Sequence, residues 1–505
     1  MTDILWTLVL LQMAMGAFDT VYHHELTERL AWRPGQQHEL KLHGVRNVLY
    51  AVLFLALGFT EPRGLYAFGL IGLLLVELGI TLWDFVEEDR TRLLPPSERV
   101  THTLLTLNYG VILALLVPWL WSLGQLPTAL PGVDHAWLGW TCAIAAVGVV
   151  ASGLRDLEAA RRALRLAETP AIELTGSLEG KRNILVTGGT GFVGTRLVAA
   201  LVGAGHAVTV ISRNPGKARG VEAMRGANVI GSLGEITSDT RIDAVINLAG
   251  EPLANGLWTK AKRRRILQSR VDATRNLVTF LRRLDGKPHV LVSGSAVGWY
   301  GLRGEEKFAE NATPRDCFSH RVCEAWEREV MRVDDMGVRL VRLRIGLVFC
   351  RSGGMLARML LPFEFFLGGR IGSGKQYISW IHRDDLVRLI VHCIATPAVS
   401  GAVNATAPVP VTNAGFTRAL AHALHRPVSL PLPAAPLRLA LGDFADELLL
   451  GGQRVLPAKA LATGFRFEYP QIGGALAQIC GPRESVRQAV EPVRLPRLKE
   501  GSMLH

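Results

Sequence analysis

One segment constrains this 505-residue chain more than any other: Ile184-Leu185-Val186-Thr187-Gly188-Gly189-Thr190-Gly191-Phe192-Val193-Gly194. A short apolar run enters a turn whose glycines at 188, 191 and 194 are spaced three apart. Apolar residues at helical spacing follow over 195–204, then a second apolar run, Ala207–Ile211. The pattern predicts strand, turn, helix and strand, the first βαβ unit of a dinucleotide-binding fold. In such a unit Gly188 permits the tight turn and Gly191 lets backbone N–H groups reach a pyrophosphate. Gly194 lets helix and strand pack closely.

Ahead of this unit, residues 1–165 carry five apolar segments, 4–17, 45–59, 65–83, 104–123 and 137–154, which read as a transmembrane helical domain. The first two are short for a span and are expected to extend into flanking residues or tilt. Basic residues alternate along the connections. Arg29, Arg33, Lys41 and Arg46 follow the first segment, Arg90, Arg92 and Arg99 the third, and Arg155, Arg161, Arg162 and Arg165 the fifth. The second connection has only Arg63, and 124–136 has no lysine or arginine. The positive-inside rule then places the N-terminus outside a bacterial-type inner (cytoplasmic) membrane and the βαβ unit in the cytoplasm. Asp3 precedes the first segment without a basic flank, which suits an uncleaved anchor better than a signal peptide. The net charge of +12 fits arginine-rich cytoplasmic loops against the lipid of the inner membrane. The densest basic run, Lys260-Ala261-Lys262-Arg263-Arg264-Arg265, has no interleaved aromatics, so no nucleic-acid partner is expected. Six cysteines without a CxxC pair fit a reducing compartment.

Three acid–histidine pairs lie on the same expected side: Asp19 with His23, Glu39 with His43, and Glu98 with His102. A spacing of four puts each pair on one helical face. Imidazoles with carboxylates suit iron, manganese or zinc, so His23, Glu39, His43, Glu98 and His102 are candidate ligands of a metal ion in the membrane domain. Four-helix di-iron proteins use Glu-x-x-His instead, and juxtamembrane capping with ion pairing is the competing reading. Glu77 falls well inside the third apolar segment, where a carboxylate needs a partner or a task.

Residues 166–181, with Pro170, Gly176 and Gly180, read as a linker. Beyond it, strands are expected at Asn183–Thr187, Ala207–Ile211, Asn228–Ile230, Ala244–Asn247, 289–293 and Arg339–Ile345. Helices fall between them, including 317–336. The expected fold class is an N-terminal all-α transmembrane bundle of five helices joined to an α/β Rossmann-like, doubly wound parallel sheet. The sheet domain, 182–482, includes a small α/β substrate-side subdomain, and a basic tail follows at 483–505. The end of the second strand bears on the cofactor. It reads Ile211-Ser212-Arg213-Asn214, with no carboxylate for a ribose 2′-hydroxyl and an arginine suited to a 2′-phosphate. NADP is therefore preferred to NAD.

Further motifs narrow the fold: Asn247-Leu248-Ala249-Gly250-Glu251-Pro252, Ser269-Arg270-Val271, Ser293-Gly294-Ser295-Ala296-Val297-Gly298-Trp299-Tyr300-Gly301, Trp380-Ile381-His382 followed by Asp384-Asp385, and Gly451-Gly452-Gln453-Arg454-Val455-Leu456-Pro457. With these, residues 183–479 resemble the atypical epimerase family of extended short-chain dehydrogenase/reductases. Residues 432–482 are similar to that family's C-terminal segment. The resemblance implies a nicotinamide dinucleotide along Thr187, Gly188, Thr190, Gly191, Phe192, Val193 and Gly194. It implies Ser212 and Arg213 at the adenosine phosphate, with Leu248, Ala249 and Gly250 after the fourth strand. Ser295 matches the active-site serine, which bonds a substrate carbonyl or hydroxyl.

Typical members of that superfamily carry Tyr-x-x-x-Lys on the helix after the serine. Here Phe318 and Val322 stand in those places. Phenylalanine has no proton to exchange, so Tyr300 or Glu251 is expected to serve as acid–base group. His320 is disfavoured, because two residues along a helix turn it about 160° from Phe318. The expected activity is that of an NADP-dependent oxidoreductase or epimerase acting on a carbonyl or carbinol carbon. Its substrate would be a small molecule or lipid-like, either lipid-linked or a nucleotide sugar. One rival is a non-catalytic NADP(H) sensor, which would suit the missing Tyr/Lys pair. Another is an enzyme built on the membrane histidines, with the dinucleotide unit as accessory.

Overall fold

The computed structural model describes residues 2–481 other than 34, 93, 165, 167, 254 and 255. Arg165 and the basic tail expected at 483–505 lie outside the described residues. The chain divides into two compact units, Met1–Ala167 and Glu168–His505.

The first unit is helical: α1 (Asp3–Phe18), α2 (Gln37–Phe59), α3 (Leu65–Thr91), α4 (Pro96–Gly124) and α5 (Trp137–Ala163). Counting α1 with its continuation to Trp32, all five are long and apolar enough to cross a membrane. They outrun the apolar segments because polar turns at their ends keep helical hydrogen bonding. The start of α2 thus carries Glu39 and His43, and the start of α4 carries Glu98 and His102. Over Asp19–Thr27 the first helix widens into a π-helix, and the Glu28 N–H donates to the His23 carbonyl at 2.7 Å. Leu5, Leu53, Leu57, Leu74, Leu116 and Leu120 meet in one core. Leu75, Val76, Trp83, Leu107, Ile144 and Val147 are exposed, so the helices are apolar outside as well as inside. Small residues let α2 and α5 approach closely; a Cβ added at Gly58 would lie 2.7 Å from that of Cys142.

The second unit is built on seven parallel strands: β1 (Asn183–Thr187), β2 (Ala207–Ile211), β3 (Asn228–Ile230), β4 (Ala244–Asn247), β5 (Val290–Ala296), β6 (Arg339–Ile345) and β7 (Gly401–Ala405). Their order is β7-β6-β5-β4-β1-β2-β3. The order reverses between β1 and β4, the switch point at which doubly wound sheets bind ligands. Both faces are covered. Ile184 and Val186 point into a core shared with α6 (Phe192–Gly203) and with Leu386 and Ile390 of a later helix, Arg383–Ala395. Leu185 points into the opposite core with Leu277 and Leu281 of α7 (Lys260–Arg283). Burial on both faces explains why β1 reads as an unbroken apolar run, Ile184-Leu185-Val186. Three short strand pairs, with helices between, make up the smaller C-terminal part.

Three expectations are corrected. Strand β5 reaches Ala296 and pairs Ser295 with Arg344, and β7 adds a seventh strand. The helix expected over 317–336 is α8 (Phe318–Val330) followed by tighter turns to Met336. Residues 168–181 are packed rather than free linker. Leu174 and Leu178 enter the core, the Thr169 hydroxyl donates to Asp384 at 2.6 Å, and the Thr169 carbonyl accepts from Arg196 at 2.6 Å. Two buried leucines outweigh the Pro/Gly punctuation there.

Candidate functional site

The β1–α6 turn lies at the switch point. Gly188 has φ +72°, and a Cβ there would sit 2.6 Å from the Leu248 carbonyl, so the turn and the end of β4 touch backbone to backbone. A Cβ at Gly194 would fall 2.2 Å from the Gly188 oxygen. The Gly191 N–H donates to Gly188 (3.0 Å), and Gly191 opens α6 with no side-chain cap. First-turn N–H groups of a helix lack partners within it, so they are left for an anion. Thr190 and Gly191 are exposed at this spot, whereas Thr187 is buried and donates its hydroxyl to Asn247 (2.7 Å). The Phe192 ring lies against Gly353, and Val193 packs on the core, so both offer the pocket backbone rather than side chain. Leu248 and Ala249 are half-buried, and Gly250 is exposed above Arg270. Ser212 is buried, with its hydroxyl accepting from the Asn214 N–H (3.3 Å). That bond shapes the bend carrying Arg213, which is exposed and has no carboxylate in ion-pair range among the described residues. The cradle and the free guanidinium together fit a pyrophosphate and a phosphorylated ribose.

The residues expected to do chemistry are committed elsewhere. Ser295 is buried and donates to Glu327 of α8 (2.7 Å). Glu327 in turn accepts from Arg344 (Nε 2.9 Å, Nη2 3.1 Å) and Arg342 (3.1 Å). Tyr300 is 0% exposed. Its hydroxyl donates to Asn404 (2.6 Å) and accepts from Arg344 (3.1 Å), and burial raises its pKa. A phenol sealed on both sides exchanges no proton with a substrate, which corrects the expectation for Tyr300. Glu251 is held below the usual carboxylate range by the Lys262 ammonium at 2.5 Å, so its carboxylate is an ion-pair partner and a weak base.

Phe318 packs edge-on against Trp258 at 4.9 Å. Val322 joins Trp258 and Ile266 in an apolar cluster with Phe444 and Leu448 of the C-terminal segment. The Tyr/Lys place is thus an apolar wall. Glu447, from the same segment, caps α8 by accepting from the N–H groups of Phe318 (3.0 Å) and Ser319 (2.9 Å). His320 does point away from Phe318, and that direction is toward the serine loop, where Nδ1 donates to the Trp299 carbonyl at 2.6 Å. His320 and Glu327, seven residues apart, share the α8 face that meets β5. The sequence reading also missed Arg270. It is buried, donates among the described residues to the Glu251 and Ile266 carbonyls (3.0 and 2.9 Å), and stacks near Trp326 (5.2 Å). Its signal was a lone arginine in the Ser269-Arg270-Val271 motif.

In the first unit, Glu39 and His43 come together with Glu88 of α3, as do Glu98 and His102. Arg92 donates to Glu39 (3.0 Å), Glu88 (3.3 Å) and Glu98 (2.6 Å). His23 is not part of this cluster, which corrects its place among the candidate ligands. Its Nδ1 is 2.8 Å from Asp19 and its Nε2 is 3.3 Å from the Ser97 hydroxyl. Both histidines are buried, and it is His24 of the π-helical segment that faces the cluster, stacked on His43 at 4.7 Å. Glu77 is satisfied separately by the hydroxyls of Tyr50 (2.6 Å), Thr81 (2.7 Å) and Tyr109.

Comparison with known proteins matches this geometry. Residues 184–405 fit the model of the NAD dependent epimerase/dehydratase family, and 432–479 fit a domain of unknown function, DUF1731. Epimerase family protein YfhF of Bacillus subtilis is 38% identical over 309 residues, 60% of this chain and 100% of that one. The crystal structure of human epimerase family protein SDR39U1 with NADPH superposes with a TM-score of 0.54 at 34% identity, over 59% of this chain and 99% of that chain. A nucleoside-diphosphate sugar epimerase from Corynebacterium glutamicum gives 0.50 at 28% identity, over 68% and 66%. Through its second unit, the chain belongs to the NAD dependent epimerase/dehydratase family.

Proposed function

We propose that this protein is a membrane-anchored, NADP(H)-dependent oxidoreductase acting on a carbonyl or carbinol carbon. The single observation that carries the reading is the uncapped β1–α6 turn at the switch point, with the unpaired Arg213 at the end of β2. The NADPH in the human relative's structure supports the choice of cofactor. Bound here, the nicotinamide would give or accept hydride. Arg213 would hold the 2′-phosphate, and Arg270 would face the anionic side of the cleft under Gly250. Ser295, its proton committed to Glu327, would accept from a substrate hydroxyl through its free lone pairs. His320 takes the proton step in place of Tyr300. Its Nδ1–H is fixed on Trp299, which leaves Nε2 as the exchanging nitrogen.

The five apolar helices, apolar on their outward faces, support placing the first unit in the lipid of an inner membrane. The alternation of arginines supports an outside N-terminus. The second unit exposes Phe366, Leu367, Leu430 and Leu432, with the last two on a segment hydrogen-bonded to 368–372, and this supports an amphiphilic substrate.

Calorimetric titration of the full chain in detergent tests the reading. NADPH should bind, and Arg213→Ala should weaken NADPH by about tenfold or more while leaving NADH unchanged, the scale of a charged hydrogen-bond pair. Failure to bind either dinucleotide overturns the proposal. A second reading, an NADP(H) sensor without turnover, is favoured by the apolar wall at Phe318 and Val322. Deuterium transfer from labelled NADPH to polyprenyl, sterol-like or lipid-linked sugar carbonyls separates the two. Transfer lost in Ser295→Ala and His320→Ala supports the enzyme, and binding without transfer supports the sensor.

A further inference from the structure

The first unit holds a buried polar cluster that the dinucleotide chemistry does not use. Two groups of donor atoms converge in it: His24, Glu88, Glu98 and His102, and Glu39, His43 and Glu88. Within each group the donor atoms all lie within 4.8 Å of one another. They come from α2, α3, α4 and the π-helical end of the first helix, and all but His102 are buried.

The atoms facing this space are unsatisfied. His24 Nε2, His102 Nδ1, Glu39 Oε2 and Glu88 Oε2 are buried without a hydrogen bond, while His43 Nε2 lies 2.9 Å from Asp84 Oδ2. They sit close to one another all the same, with His102 Nδ1 3.3 Å from Glu88 Oε2 and His24 Nε2 3.7 Å from Glu98 Oε1. A buried polar atom left unpaired costs about 1–3 kcal/mol, and more when charged. Four of them gathered in one cluster mark a missing partner rather than a satisfied network. Five carboxylates, Asp19, Glu39, Asp84, Glu88 and Glu98, are buried together; among the described residues Arg46 and Arg92 pair Asp84, Glu39, Glu88 and Glu98, and the imidazoles of His23, His24 and His102 face Asp19. Arg92 donates to both oxygens of Glu98 but only to Oε1 of Glu39 and Glu88, and leaves Oε2 of those two open.

Orientation is also prearranged. Nε2 of His102 is 3.2 Å from Asp19, so a carboxylate fixes the ring with Nδ1 directed at the cluster. Carboxylate–histidine pairs of this kind set the ligand nitrogen of metal sites. The π-helical stretch that carries His24 is a rare distortion found mostly at functional positions.

We propose that the first unit binds two divalent transition ions of the iron, manganese or zinc class. His24, Glu98 and His102 hold one, Glu39 and His43 hold the other, and Glu88 bridges them. Imidazole and carboxylate donors without thiolate select that class of ion. The shared Glu88 stands where dinuclear sites place a bridging carboxylate, and four helices contribute, as in carboxylate-bridged bundles. The i, i+4 pairs Glu39/His43 and Glu98/His102 do here what i, i+3 pairs do in those bundles.

The test is metal content of the purified full chain in detergent, loaded separately with Fe(II), Mn(II) or Zn(II), desalted and measured by mass spectrometry. At least one metal should load to two ions per chain. Glu88→Gln and the double variant His24→Ala/His102→Ala should lower that content about tenfold, the scale on which ligand-shell changes weaken metal sites. Glu77→Gln, satisfied separately by hydroxyls, should keep it. Should the variants fail to fold, the wild-type chain still decides: the loaded metal should raise its melting temperature, and EDTA should reverse the rise. Wild-type chain that is helical by circular dichroism yet takes up none of the three metals overturns the proposal. Full loading of Glu88→Gln does so as well. A single ion unaffected by Glu39→Gln overturns the two-ion assignment.

Discussion

Arg344 lies on β6 beneath the serine loop. Its Nε and Nη2 donate to Glu327, and its Nη1 donates to Tyr300 and to the Glu310 carbonyl. The guanidinium also sits 3.5 Å from the centre of the Trp299 ring. Both charges of the pair are buried, at 2% and 3% exposure, so removing one leaves the other desolvated and unmatched. Glu327→Ala should therefore destabilise the second unit by about 3–5 kcal/mol, visible as a lowered melting temperature. Tyr300→Phe removes one hydroxyl from the same network. It should cost about 1–3 kcal/mol through the unpaired Asn404 oxygen. NADPH affinity should stay the same if Tyr300 is structural, whereas a catalytic Tyr300 would show a large fall in deuterium transfer at unchanged stability.

At the scale of elements, His382 caps the helix Arg383–Ala395. Its Nδ1 accepts from the Asp384 N–H at 3.2 Å, and its Nε2 donates to Gln478 at 3.1 Å. Burial holds the imidazole neutral, with a pKa lowered to about 4 from 6.5. Between those values the unfolded chain takes up a proton that the folded chain refuses. Stability from this group is thus complete above pH 6.5 and is lost as pH falls toward 4. Protonation also consumes the Nδ1 lone pair and with it the cap. His382→Asn, which caps without titrating, should flatten that stretch of the melting-temperature profile against pH.

Elements were legible in the sequence where local pattern and packing agree. Strands β1, β2, β3 and β4 follow from short runs rich in valine and isoleucine, β6 from apolar residues 340, 341, 343 and 345 set between arginines, and the glycine turn from its spacing. The last residues of β5 did not, because Gly294, Ser295 and Ala296 carry no strand pattern and are held by pairing with Leu343, Arg344 and Ile345. The direction of His320 relative to Phe318 was readable, but which of the two faces the serine loop depends on how α8 docks on Trp258 and β5. His24 was missed for a related reason. A regular helix puts His23, four residues from Asp19, on the shared face, and only i→i+5 bonding shifts the phase by one residue.

For the whole molecule, the family models lie within the second unit, and the surface of the first unit carries its physical character. Trp83, Leu107, Ile144 and Val147, spread over three helices, are each about two-thirds or more exposed. In water such a surface would associate indiscriminately, and in hydrocarbon it is the stable outer face. The connections differ in charge as the bilayer reading requires, with Arg155, Arg161 and Arg162 at the end of α5 and no lysine or arginine over 124–136. Each basic residue kept on the cytoplasmic side adds to the orientation bias. The chain should therefore remain in the membrane fraction after alkaline carbonate extraction. Alkaline phosphatase inserted in the 125–136 loop should be active, because that enzyme needs the oxidising outer compartment. The same reporter at the C-terminus should be inactive, and green fluorescent protein there should fluoresce. The reversed pattern would place the dinucleotide unit on the side where NADP(H) is absent, and the membrane and cofactor readings would then contradict each other.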